Sequence, residues 1–88
     1  MKFIGSIVEE RGVTFAIVLV KGYATQTTSE SAKTRAAFQV CFPGMPLILA
    51  SQDHRGVFAY QGPDDIVRLI SNISPDRIPW KEYILQNG

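Results

Sequence analysis

The first apolar positions, Phe3, Ile4, Ile7 and Val8, fall in a β-rich stretch, residues 2–9 (KFIGSIVE). Glu10-Arg11-Gly12 follows, and the apolar pattern resumes at Val13. Glycine reaches positive φ without steric cost, so this spacing predicts a hairpin of two strands. The second strand, VTFAIVLV, is apolar at consecutive positions instead of alternating. Strand side chains point to the two faces in turn, so an unbroken apolar run needs cover on both. This segment is the expected centre of the sheet.

KGYATQTTSE has no apolar periodicity and reads as a loop that ends in capping chemistry. Thr28 or Ser29 can accept from the orphan amides of a helix, and Glu30 suits the positive end of its dipole. The helix is expected to run to about residue 42. Ala32, Ala36, Ala37, Val40 and Cys41 form a stripe of small side chains for close packing on the sheet, with Phe38 and Phe42 as a second apolar edge. Pro43-Gly44-Met45-Pro46 stops the helix. LILAS and GVFAYQ flank a turn at Gln52-Asp53-His54-Arg55-Gly56, a second hairpin. Pro63 at a first helical position, with Asp64 and Asp65 behind it, opens another helix. Its Ile66, Leu69, Ile70 and Ile73 recur at i, i+3, i+4, i+7, the spacing of one helix face.

Ser74-Pro75-Asp76 is a further cap-and-start signal, which predicts a short terminal helix. The tail that follows carries Trp80, Tyr83, Ile84 and Leu85, apolar mass that packs on its own sheet or on a partner. The expected fold class is α+β: one domain over residues 1–88, β-β-α-β-β-α, with a four-stranded mixed sheet in a two- or three-layer sandwich and a short C-terminal helix.

Composition narrows the function classes. Eighty-eight residues, 45% of them apolar, support one hydrophobic core. Nine Lys and Arg against eight Asp and Glu give a net charge of +1, and the basic residues never form a run. Nucleic acid is therefore not an expected partner unless the fold gathers Lys33, Arg35 and Arg55 onto one face. A single cysteine excludes an internal disulfide and a cysteine-based zinc cluster. With one histidine besides, neither metal nor cofactor is expected. The N-terminus turns acidic too soon for a secretory leader, and the longest apolar run, Phe15 to Val20, falls far short of the roughly 20 residues of a membrane span. No membrane association and a cytoplasmic location are the resulting expectations.

From Pro43 to Ile73 the chain resembles the C-terminal half of thioredoxin-like domains. Met45-Pro46 stands where such domains carry a cis-proline pair, LILASQDHRGVFAYQ is their hairpin, Gly62 their glycine, and Asp65–Ile73 their last helix. No Cys-x-x-Cys is present, and the loop after the second strand reads Ala24-Thr25-Gln26-Thr27-Thr28. The resemblance thus implies a shortened member without dithiol redox activity.

Several residues are candidates for chemistry, each with a plainer reading beside it. Cys41 is the one thiol, but it falls near a helix C-terminus, where the dipole disfavours a thiolate, and core packing accounts for it. His54 lies between Asp53 and Arg55, yet neighbours on a tight turn point apart. Thr25, Thr27, Thr28 and Ser29 at a helix start could hold an anion, or could simply cap. Asp64 and Asp65 fit helix-start electrostatics as well as they fit a metal.

Two function classes remain open. One is a non-catalytic protein-interaction module, expected to be a homodimer that covers the second strand and the open sheet edges, with Trp80 and Tyr83 at the interface. The other is a small-ligand-binding or enzymatic domain. Its pocket would lie between Thr27, Thr28 and Ser29, Pro46 and Tyr60, with Cys41 and His54 as the catalytic candidates.

Overall fold

Arg11 and Gly12 both take positive φ, 52° and 79°, as a two-residue hairpin connection requires of its central positions. They join β1 (Lys2–Glu10) to β2 (Val13–Leu19), pairing Glu10 with Val13 and Gly5 with Val18. The computed structural model describes residues 2–22 and 27–84. After β2 come α1 (Thr28–Gln39), β3 (Leu47–Gln52), β4 (Phe58–Gln61) and α2 (Asp64–Ser71). A single 3-10 turn (Pro75–Arg77) then leads into β5 (Lys81–Ile84). The α+β class holds, with a mixed sheet of five strands instead of four, in the order β4-β3-β2-β1-β5.

β2 and β3 run parallel, and α1 makes the crossover between them; the remaining neighbours are antiparallel. As the unbroken apolar run requires, β2 is central, and Phe15, Ala16, Ile17 and Val18 have no accessible surface. Phe15 and Ile17 join Ile48, Ala50, Ile66 and Ile70 on the face covered by α2 and the tail. Ala16 and Val18 join Phe3, Phe38, Phe42, Leu47 and Leu49 on the face covered by α1. The sandwich has three layers, and the chain shields its own central strand.

Four expectations about the elements and their connections are corrected. The C-terminal helix is replaced by β5, which pairs with β1 from Lys2↔Ile84 to Gly5↔Lys81. Ile78-Pro79 stops the 3-10 turn at once, because a residue before proline is pushed towards extended backbone. The helix cap is Thr27, not Thr28 or Ser29: Thr27 Oγ1 accepts from the Glu30 amide at 3.2 Å. Finally, the small-residue stripe does not face the sheet. Ala32, Ala36, Ala37 and Val40 are exposed, and α1 turns Ser31 and Phe38 inward. Large aromatic area is worth more to bury than four small side chains. The Met45–Pro46 peptide is trans, not the cis pair that the resemblance implies.

Candidate functional site

The residues expected to share a pocket lie apart. Thr27, Thr28 and Ser29 stand at the start of α1, while Pro46 lies beyond its other end, in a hollow with Arg35, Gln39, Gln61, Gly62 and Pro63. Eleven residue steps of helix put roughly 16 Å between them. Tyr60 packs on the opposite face of the sheet, its ring 6.1 Å from that of Phe58, where burial raises its phenol pKa. Thr25 and Leu85 lie outside the described residues.

Cys41 is half-buried against the aromatic cluster under α1. His54 is exposed in the turn between β3 and β4. The two are not brought together: Cys41 packs against the cluster under α1, and His54 is exposed in the turn beyond β3. Asp53 shapes that turn, its Oδ1 accepting from the amides of Arg55 at 2.8 Å and Val57 at 2.9 Å. Asp64 and Asp65 are exposed at the start of α2, and among the described residues no three His, Cys, Asp or Glu side chains could hold a metal ion together.

Trp80 and Tyr83 both pack within the chain. The Trp80 indole N–H donates to the Pro75 carbonyl at 2.9 Å, and its ring lies 6.0 Å from Phe58. Tyr83 stacks on Phe3 at 5.2 Å and meets Phe42 edge-on at 5.3 Å. Its hydroxyl is buried without a hydrogen-bond partner among the described residues.

The three basic residues named above also disperse. Arg55 pairs with Asp53 at 3.2 Å. Arg35 reaches from α1 to the Pro46 hollow, where its guanidinium donates to the carbonyls of Leu47 and Gln61 and to the Gln61 side chain. Burial there lowers its pKa. Arg35 thereby ties α1 to the ends of β3 and β4.

Lys33 faces a second open cavity. This cleft, about 640 Å³, lies where α1 diverges from the ends of β1 and β2. Phe3, Ile4, Leu19 and Val20 wall it from the sheet; Thr34, Ala37 and Phe38 wall it from the helix. Three lysines are among its lining residues: Lys2, Lys21 and Lys33. Lys2 reaches Glu82 at 3.8 Å across the neighbouring strand. Among the described residues the charged lining is wholly basic, so the site offers apolar contact and positive potential together. Nothing in the linear pattern marks it, because its cations come from positions 2, 21 and 33, which only the β1–β2 register and the crossover helix bring to one end of the sheet.

No family model, curated protein or solved structure matches the chain. No helix among the described residues is long and apolar enough to cross a membrane.

Proposed function

We propose that this domain is a non-catalytic binding module that recognises a partner with an apolar body and an anionic group. The observation that carries this reading is the apolar cleft whose lining includes Lys2, Lys21 and Lys33. Clefts of a few hundred Å³ with mostly apolar walls and a few convergent charges are the usual form of a ligand site. Charge at the rim sets encounter rate and selectivity, and the apolar walls supply most of the affinity. The separation of Cys41 from His54 favours binding over nucleophilic catalysis, which needs thiol and base within hydrogen-bond reach.

Anilinonaphthalene sulfonate, an apolar anion, is the direct probe. It is expected to fluoresce in the presence of the folded domain, and Lys21→Glu/Lys33→Glu is expected to abolish the signal without changing the far-UV spectrum. Equal enhancement by the double variant would rule the cleft out as the recognition site.

A second reading, a homodimeric interaction module, is favoured by one feature of β5. Its outer edge is unpaired among the described residues, and Ile84 on it is 66% exposed. Two copies joined edge to edge would extend the sheet and cover that side chain. Light scattering would give twice the chain mass, and Ile84→Lys would return it to a single chain; a single-chain mass at high concentration ends this reading.

A further inference from the structure

We propose that the cleft's occupant is a free single-chain amphiphile, an unbranched acyl or alkyl chain ending in one carboxylate or phosphate. This rests on the binding-module reading and names its ligand class. Three observations carry it.

First, the cleft is small. Ten of the described residues line it, whereas a stable protein–protein interface engages roughly 20–30 residues a side. Second, its walls separate by chemistry. Phe3, Val20 and Phe38 are continuous with the core cluster beneath α1, and Thr34 is the one uncharged polar residue among the described lining residues. A chain with polar groups along its length would leave them unpaired against such walls, whereas a hydrocarbon chain would not. Third, the cations are all lysines. An ammonium on a flexible stem is a point charge that follows an anion of any shape, whereas a planar guanidinium fork favours fixed bidentate geometry. Lys21 and Lys33 have no carboxylate within ion-pair distance among the described residues, so they are available to a single head group.

The occupant would touch β1, the end of β2 and α1 at once, and a ligand that binds only the folded state stabilises it. The test is a titration of the ¹⁵N-labelled domain with decanoate and with decyl phosphate, both below their micelle concentrations, alongside thermal melts. Saturable shifts confined to residues around the cleft, with a raised melting temperature, are expected for at least one of the two; which one answers assigns the head group. Affinity should fall roughly tenfold or more in Lys21→Glu/Lys33→Glu, whose fold the same spectra report.

Four controls can overturn the proposal. Equal binding of decyltrimethylammonium would show that charge does not select. Equal binding of acetate would show that the chain is not held. Co-sedimentation with phosphatidylglycerol vesicles, in place of decanoate or decyl phosphate binding, would point to a membrane surface. Cleft shifts with a Leu- and Glu-rich peptide, and none with either amphiphile, would sink the amphiphile while leaving the binding module standing. Loss of the sulfonate dye signal as well would remove both.

Discussion

The Tyr83 ring lies against Phe3 and Phe42 with the Lys81 ammonium 4.9 Å from its centre, and its hydroxyl is buried with no partner among the described residues. Burying an unpaired hydroxyl costs about 1–3 kcal/mol in proteins. The ring earns its place by stacking; the oxygen does not. Tyr83→Phe is therefore expected to stabilise the domain by about 1 kcal/mol in urea unfolding. A loss of stability would mean that the hydroxyl has a partner. The sequence shows Tyr83 as aromatic mass that must go somewhere, but its destination depends on pairing with β1. Arg35 was illegible for a similar reason. On a helix of low amphipathicity nothing marks one arginine among the polar positions as the one that turns towards Leu47 and Gln61.

At the scale of elements, what could be read was punctuation. Pro63 with Asp64 and Asp65 places α2, whose Ile66 and Ile70 are buried as their spacing requires. The Asp53–Gly56 segment places the β3–β4 turn, with Gly56 at φ 85°. Backbone donation from Val57 is the main cause that holds the Asp53 carboxyl below the usual carboxylate range, and Arg55 adds its amide and its guanidinium. A carboxyl depressed on folding stabilises the fold above its unfolded pKa, and this contribution fades as pH falls through the folded value. The acid limb of stability should therefore weaken in Asp53→Asn, whose amide oxygen still accepts from both amides. The gap between variant and wild type in urea midpoint is expected to be present at neutral pH and to close below about pH 4. A gap independent of pH would remove the charge from the explanation.

Gly62 joins two elements in a way that no pattern discloses. A Cβ there would stand 2.4 Å from Ile48 Cδ1 and 3.3 Å from the Leu47 carbonyl. Ile48 is fully buried and has no room to withdraw. Gly62→Ala is expected to destabilise by about 1–3 kcal/mol. Ile48→Val removes the clashing methyl at a cost of about 0.5–1.5 kcal/mol. The double variant should lose less than the sum of the two, and strict additivity in the cycle would show that the clash is not the cause.

Over the whole molecule, the layers follow from β2, whose two apolar faces demanded cover, but the source of that cover was not legible. One side is finished by the tail. Ile78 is 5% exposed in the core beside α2, Ser6 donates to the Pro79 carbonyl at 3.1 Å, and Tyr83 closes the aromatic cluster on the other face. A signal did exist: proline at 79 ends any helix begun at Pro75, and the residues beyond it mix charged and apolar types too briefly to show a period. The tail is thus the last strand of the sheet and not an appendage. A domain of this size has a stability on the order of 10 kcal/mol or less, and burying Ile78 contributes roughly 1.5–3 kcal/mol before ordering entropy, with smaller contributions from the partly buried Trp80 and Tyr83. A chain ending at Ser74 is accordingly expected to show no cooperative thermal transition by circular dichroism. A peptide of residues 75–88 added in trans should restore one, at a midpoint that rises with peptide concentration. Cooperative melting of the truncated chain near the intact midpoint would refute that account, because β1 would then be stable as a bare edge and the core beside α2 would not need Ile78.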